Sequence, residues 1–211
     1  MGRDIPGKPP RRRAVRGAAA VLGILLLMLL GAGLAAYAVF TGPRDLSNYP
    51  PAAESPYLLP WSAGVTRLCV QSNRGIVSHR GGEQYAYDFY MPEGSDVCAA
   101  RAGEVVTVVR HHDGHGYRWP NNKVVVRHDD GTLAAYLHIQ KDGSRVAVGD
   151  RVAQGQVIAA SGHVGNSMMP HLHFHVSDPA RGGTIPLSFA DVKRHSGVPR
   201  MFFRYTSGNG R

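Results

Sequence analysis

Short apolar runs separated by turn residues dominate the chain from about residue 61 to residue 180. Four of these runs are rich in β-branched or other strand-forming residues and cover positions 104–109, 123–127, 132–139 and 156–159. Turn signals at intervals of roughly 8 to 12 residues are typical of an all-β sandwich or barrel. No stretch in this region keeps a 3.6-residue apolar period long enough for a substantial helix. We therefore predict an all-β fold, an antiparallel sandwich or half-open barrel.

A different pattern precedes this region. Residues 17–43 contain no charged side chain, and a helix over 17–40 would be roughly 36 Å long, enough to cross a bilayer core of about 30 Å. Six basic residues and one aspartate place five of the nine net positive charges in residues 1–16. Basic residues before an apolar helix favour a cytoplasmic N-terminus. We predict a cytoplasmic tail over 1–16, one transmembrane helix over 17–40 and an extracytoplasmic remainder.

Two other interpretations of the N-terminal region compete with the transmembrane helix. Ala36-Tyr37-Ala38 resembles the small-x-small pattern of a cleaved signal peptide, which would also export the remainder. The basic run could instead bind nucleic acid, but its position directly before an apolar segment favours a topogenic signal. We therefore expect the protein to sit in the cell membrane as a single-pass protein, and we expect no nucleic-acid partner.

The remaining segments follow from composition. Five prolines in residues 41–60 predict a stalk. Residues 61–185 hold the strand pattern and form the main domain, and residues 186–211 are predicted to be a short packing extension with a loose end. A length of 211 residues with 43% hydrophobic and 18% charged residues fits one domain with a real core. Fibrous, coiled-coil and disordered classes are excluded.

Cys69 and Cys98 are the two cysteines of the chain. In an oxidising, extracytoplasmic compartment an isolated pair is compatible with a disulfide. The alternative is two buried free thiols, because sequence does not give the distance between their Cα atoms. We expect the disulfide.

Eleven histidines are many for this length, and three of them alternate in one segment, His171-Leu172-His173-Phe174-His175. Alternate residues of a strand share a face, so the three imidazoles project together while the residues between them face a core. Imidazole is the commonest metal ligand and a physiological proton carrier. A catalytic zinc needs about three protein ligands and an open position, so this strand requires partners elsewhere.

Candidate partners lie upstream. Asp88 is flanked by aromatic residues in an alternating segment, where a buried carboxylate is costly without a charge partner. His79 lies in a polar, glycine-containing stretch, and His138 lies within an apolar strand pattern. Each alone could be a solvated or structural side chain. Together with the alternating histidines they supply a coherent set for one site.

Three motifs occupy residues 85–94 running on to 97–105, residues 136–139, and residues 149–156 leading to 161–166 and 171–174. They give residues 61–185 a resemblance to the lysostaphin-like, or LytM-type, zinc endopeptidases, which cleave peptide bonds in peptidoglycan. The resemblance implies one zinc ion per chain, held by His79, Asp88 and His173, with His138 and His171 as the catalytic pair. Many members place the first ligand histidine four residues before the aspartate, where this chain has Gln84. We expect His79 to serve from a longer loop. His175 is given no role.

These expectations define a membrane-anchored zinc metalloendopeptidase that hydrolyses peptidoglycan peptides. A non-catalytic LytM-type module that binds or activates another cell-wall hydrolase is the first alternative, and Gln84 is the residue that favours it. A biotinyl or lipoyl carrier would need a lysine at an exposed turn, and no lysine occurs between Lys141 and Lys193. A further metal site at His111, His112 and His115 is possible, but that segment is more typical of a polar loop.

Overall fold

The computed structural model describes residues 11–40, 42–43, 45–75 and 77–210, with the side chains of the N-terminal helix described at 21–34 and 36. The chain divides into two units, Met1–Ala38 and Val39–Arg211. In the first unit, helix α1 (Arg11–Phe40) begins within the predicted basic tail and covers the predicted transmembrane segment. Residues 1–10 of that tail lie outside the described residues. Among the residues that are described, no helix combines the length and apolarity needed to cross a membrane.

The regular structure of the second unit consists of antiparallel strands with a few short 3-10 helices, which confirms the predicted β architecture. The strands are β1 (Thr66–Gln71), β2 (Tyr87–Tyr90), β3 (Asp96–Cys98), β4 (Gly103–Val109), β5 (Lys123–Arg127), β6 (Leu133–Leu137), β7 (Ile139–Ser144), β8 (Arg151–Val152), β9 (Val157–Ser161), β10 (His171–Ser177) and β11 (Arg204–Thr206). Among the described residues they form two sheets, one of eight strands in the order β11-β1-β2-β10-β6-β5-β4-β8 and one of three in the order β3-β9-β7. Short 3-10 helices cover Ala52–Glu54, Gly81–Glu83 and His195–Gly197.

One hydrophobic core joins residues of both sheets. Strand β10 contributes Leu172, Phe174 and Val176, all fully buried, so the alternation in the sequence predicts the core face of this strand correctly. The ring centroids of Phe174 and Tyr136 are 5.1 Å apart. Trp61 packs edge-on against Phe89 with 4.8 Å between the ring centroids. Burial of large aromatic side chains holds the central strands rigidly, and the opposite face of β10 is therefore a fixed platform for its histidines.

The structure differs from the sequence pattern at residue 138. The apolar run 132–139 predicts one strand, but β6 ends at Leu137 and β7 begins at Ile139 in the other sheet. His138 between them has a φ of 63°, in the left-handed region that a non-glycine residue rarely adopts. The chain changes sheets at this residue, and the turn places the imidazole at the end of β6.

The segments on both sides of the predicted domain pack against it. Within the predicted stalk, Tyr57 and Leu59 are buried, and the Leu58 amide donates to the carbonyl of Ala100. In the predicted extension, β11 pairs with β1 in antiparallel register. Asn209, in the predicted loose end, is buried and donates to the carbonyls of Leu59 and Ala99. The folded unit therefore includes parts of both flanking segments.

The predicted disulfide is wrong, because Cys69 and Cys98 are free thiols. They lie in different sheets: Cys69 is in β1 and Cys98 is in β3. The Cys69 thiol donates to the backbone carbonyl of Gln71 at 3.4 Å, and the Cys98 sulfur lies 3.7 Å from the hydroxyl of Ser62. Burial raises the pKa of both thiols. Both therefore remain protonated and poorly reactive at neutral pH.

Candidate metal centre

Strand register brings Asp88 and His173 side by side. In the antiparallel pairing of β2 with β10, Asp88 is directly opposite His173. Gln71 of β1 is opposite Asp88 on its other side. Side chains of directly opposed residues lie on the same face of a sheet, so the three polar groups form a row across three strands. Strand pairing thus brings together Asp88 and His173, which are 85 positions apart in the chain.

Asp88 is the centre of this row. Its Oδ1 accepts a hydrogen bond from His173 Nδ1 at 2.9 Å, and its Oδ2 accepts one from Gln71 Nε2 at the same distance. Burial alone would raise the pKa of Asp88, but His173 and His79 hold this pKa well below its usual range. The group is therefore a buried carboxylate surrounded by nitrogen atoms.

His79 reaches Asp88 from the loop between β1 and β2. Its ring is fully buried, and its Nδ1 lies 2.9 Å from the carbonyl of Ser72, which fixes the proton on Nδ1. Its Nε2 lies 3.2 Å from Asp88 Oδ2. Their alignment does not make a hydrogen bond, so this buried nitrogen has no hydrogen-bond partner among the described residues. A buried imidazole nitrogen without a hydrogen bond, next to a carboxylate, suits a cation between them.

The donor set of His79, Asp88 and His173 fits zinc. Each residue offers one nitrogen or oxygen atom, and these atoms lie within 4.8 Å of one another. Two imidazoles and one carboxylate are a ligand combination of catalytic zinc sites, in which the fourth position stays open. Burial would lower the pKa of His173, but Asp88 and Glu83 raise it to about 9. The same carboxylates that hold a proton on this imidazole would favour a metal ion in its place.

His138 and His171 lie beside this donor set. Their rings are 4.4 Å apart, and His171 Nε2 is 3.6 Å from Asp88 Oδ1. Nδ1 of His138 is 2.9 Å from the carbonyl of Val164, and Nδ1 of His171 is 2.7 Å from that of Met169. Both rings therefore carry a proton on Nδ1, which leaves Nε2 as the nitrogen that is not bound to the backbone. Burial, and secondarily His171 and His173, lower the pKa of His138 to about 3, so this ring is neutral at physiological pH.

Residues 162–169 form the loop that carries the carbonyls of Val164 and Met169. A second loop, which contains Gly114 and Gly116, holds it in place. Gly165 has a φ of 104°, and its amide donates to the carbonyl of Gly114 while its carbonyl accepts from Gly116. A Cβ atom at Gly165 would collide with the side chain of Asn121. Only glycine fits this backbone conformation and the close contact with Asn121. Gly165 therefore keeps the loop where its carbonyls orient the rings of His138 and His171.

Two further side chains contact His173 from the side opposite Asp88. His175 Nδ1 lies 3.2 Å and Glu83 Oε2 lies 3.5 Å from His173 Nε2. Hydrogen bonds from His173 and His175 lower the pKa of Glu83 below its usual range. Sequence reasoning gave neither residue a role: His175 was noticed through the alternation, but no spacing distinguishes Glu83. It likewise missed Gln71, whose only signal is its place in a strand.

The other candidate residues do not join this cluster. Gln84 is half-buried at the C-terminal end of the 3-10 helix Gly81–Glu83. His111 is exposed and His112 is half-buried, their rings contact each other, and His115 stacks on His163 at 3.7 Å between ring centroids. Among the described residues, the potential metal groups are His79–Asp88–His173 and Glu83–His173–His175, without any of the 111–115 histidines.

A cleft of about 370 Å³ lies on the larger sheet. Apolar and β-branched side chains of β4, β5 and β6 line it, together with Glu83, Lys123 and His175. Its lining does not include His79, Asp88 or His173, so the cleft touches the donor set only through Glu83 and His175.

Comparison with known proteins places this arrangement in a family. Residues 82–184 match peptidase family M23, so His79 lies just outside the matched segment. The glycyl-glycine endopeptidase ALE-1 of Staphylococcus capitis is 39% identical over 95 residues, which are 44% of this chain and 24% of that protein. The peptidoglycan DD-endopeptidase ShyA of Vibrio cholerae is 34% identical over 113 residues, or 54% of this chain and 24% of that protein.

The similarity of this chain to solved structures is weaker. Lysostaphin from Staphylococcus simulans aligns with 32% identity and a TM-score of 0.41, covering 51% of this chain and 43% of that one. The matches with the curated relatives ALE-1 and ShyA span about a quarter of the length of each relative. Residues 82–184 of this chain therefore form a lysostaphin-like domain of peptidase family M23.

Proposed function

We propose that this chain is a zinc endopeptidase that hydrolyses peptide bonds in peptidoglycan. The observation that carries the proposal is the convergence of His79, Asp88 and His173, each of which offers one ligand atom within 4.8 Å of the other two. The named activities of the relatives, glycyl-glycine and peptidoglycan DD-endopeptidase, support the same substrate class. Because these two activities differ, the bond cleaved is left open.

His79, Asp88 and His173 would hold the zinc. When bound, zinc polarises a scissile carbonyl and lowers the pKa of water towards about 7. The remaining chemistry falls to the protein. Ser72 orients His79 through its Nδ1, and Gln71 holds Asp88 by donating to Oδ2. Both hydrogen bonds fix the donor atoms before any metal arrives, which lowers the cost of ordering the site.

His138 and His171 would move the protons. Peptide hydrolysis requires that a proton leave the attacking water and that one reach the leaving amine. Both imidazoles are held through Nδ1 and present Nε2 beside the donor set. His171 Nε2 lies 3.6 Å from Asp88 Oδ1 and the His138 ring lies 4.4 Å from the His171 ring, so the pair can act on the same bond. Which ring accepts the first proton is left open here.

The proposal includes a location. The uncharged segment 17–40 and the basic residues before it support anchoring in the cell membrane, with the N-terminus in the cytoplasm and the β unit outside. A reporter fused to the C-terminus tests this: alkaline phosphatase, which is active only outside the cytoplasm, should be active, and the fusion should stay in the membrane fraction at high pH. An inactive fusion would overturn the predicted orientation.

Digestion of purified peptidoglycan tests the activity. The full chain loaded with zinc should release fragments with new amino and carboxyl termini that mass spectrometry can locate, and a chelator should stop the release. His173→Ala is the control that lacks one proposed ligand. If the chain sediments with peptidoglycan but releases nothing with zinc present, the proposed hydrolysis is wrong and the non-catalytic alternative is correct.

A further inference from the structure

The ring of His173 is contacted at both of its nitrogens. Nδ1 faces Asp88 Oδ1 at 2.9 Å, and Nε2 faces His175 Nδ1 at 3.2 Å and Glu83 Oε2 at 3.5 Å. A neutral imidazole carries one N–H, and only its bare nitrogen can bind a metal. If Nδ1 is to be the ligand atom, the proton must stay on Nε2. The groups around Nε2 therefore decide whether His173 is ready to bind zinc.

Glu83 is the carboxylate next to this nitrogen. Its Oε2 is at ion-pair distance from both rings, 3.0 Å from His175 Nδ1 and 3.5 Å from His173 Nε2. The two ring nitrogens lie 3.2 Å apart within a hydrogen bond whose donor depends on the tautomers. Because a carboxylate oxygen can only accept, its place beside both nitrogens favours the arrangement in which His173 Nε2 carries a proton.

The backbone around Glu83 holds the carboxylate in this place. Glu83 is the last residue of the 3-10 helix Gly81–Glu83, in the same connection between β1 and β2 that carries His79. The amide of Thr184 donates to the carbonyl of Gly82 at 2.8 Å and ties the helix to the body of the domain. His175 follows His173 on the same face of β10. One loop thus supplies both a proposed ligand and the carboxylate on the far side of His173.

We propose that Glu83, held by His175, is the outer carboxylate that keeps the proton of His173 on Nε2 and leaves Nδ1 bare for zinc. The proposal rests on the function proposed above. Glu83 and His175 are positioning residues, since they act through His173. A hydrogen-bonded carboxylate behind a histidine ligand fixes its tautomer and orientation and raises its basicity, and loss of such a group weakens metal binding about 10- to 100-fold.

Zinc affinity of the full chain, purified in mild detergent, tests the proposal. Competition with a chromogenic chelator at constant pH should give a dissociation constant about 10- to 100-fold higher for Glu83→Gln and Glu83→Ala than for the wild type. Glu54→Gln is the matched control: Glu54 is also exposed and also ends a three-residue 3-10 helix, Ala52–Glu54. This control should bind zinc like the wild type.

A tautomer measurement separates positioning from a general structural effect. Long-range ¹⁵N–¹H correlation spectra of the zinc-loaded wild type should show the His173 proton on Nε2 within a hydrogen bond. In Glu83→Gln the Nε2 proton should exchange faster or shift, while the signals of His138 and His171 stay in place. Conservation of the His173 signals in both Glu83 variants would overturn the proposal.

The outcomes distinguish this proposal from the one it rests on. Absence of zinc binding by the wild type would overturn both. Wild-type binding of one zinc with unchanged affinity in both Glu83 variants would overturn only the positioning role. Binding of two zinc ions, with the second lost in Glu83→Gln, would also overturn it, because Glu83, His173 and His175 would then be ligands of their own site.

Discussion

The stability of the metal-free chain should fall as the pH rises above neutrality, because of the proton on His173. Burial lowers the pKa of this imidazole, but Asp88 and Glu83 outweigh burial and raise it to about 9. The ordinary histidine pKa in an unfolded chain is about 6.5. A group whose pKa is raised by folding stabilises the fold below its unfolded pKa, and this stability is lost as the pH rises through the folded pKa.

The size of the effect follows from that difference. One pKa unit corresponds to about 1.4 kcal/mol, so a shift from about 6.5 to about 9 contributes roughly 3 kcal/mol at pH 6, nearly all of which is lost by pH 9.5. The side chain of His173 is 12% exposed, so solvent screens the interaction little. Asp88 stays ionised throughout this range because its pKa is held low, and it adds no slope of its own.

Urea unfolding of the chelator-treated full chain measures this loss. Both tryptophans, Trp61 and Trp119, lie in the β unit, so their fluorescence follows that unit alone. Subtraction of the same profile for His173→Gln removes the contributions of other groups. The difference in unfolding free energy between the two proteins should shrink by about 3 kcal/mol from pH 6 to pH 9.5. A difference that stays constant to within about 1 kcal/mol would refute the ion pairing assigned to His173.

Three further predictions follow from the site and the cysteines. His79→Ala should weaken zinc binding by more than about 100-fold, whereas Gln84→Ala should leave it within about threefold; the reverse order would make Gln84 the ligand. His138→Ala should retain one zinc per chain but lose about 10²- to 10⁴-fold in turnover of a peptidoglycan peptide, and full residual activity would remove His138 from catalysis. A reducing agent should leave the melting temperature of the metal-free chain unchanged, since Cys69 and Cys98 are free thiols; a drop of several degrees would indicate a disulfide after all.

The strand pattern of the sequence is enough to predict the type of fold and one face of the site. Alternation in 171–176 separates the core side chains from the histidines because a strand has a strict two-residue period. The spacing of turns predicts antiparallel strands, but it does not say which strands are neighbours. The pairing of β2 with β10, which places Asp88 opposite His173, is a long-range contact that local pattern does not encode.

Other features depend on three-dimensional contacts for the same reason. The run 132–139 is apolar throughout, so nothing in it marks the change of sheet at His138, where the backbone adopts a φ of 63°. Gln71 and Glu83 are ordinary polar residues whose importance arises only from what lies opposite them. The cysteine prediction relied on compartment alone, and the separation of Cys69 and Cys98 into different sheets overrides it.

Anomalous diffraction from crystals of the zinc-loaded chain tests the central claim most directly. Data collected above and below the zinc absorption edge should give a single strong peak within bonding distance, about 2.0 to 2.2 Å, of His79 Nε2, an Asp88 oxygen and His173 Nδ1. A structure without zinc at these atoms, or with zinc bound elsewhere and His79 turned away from Asp88, would contradict the account.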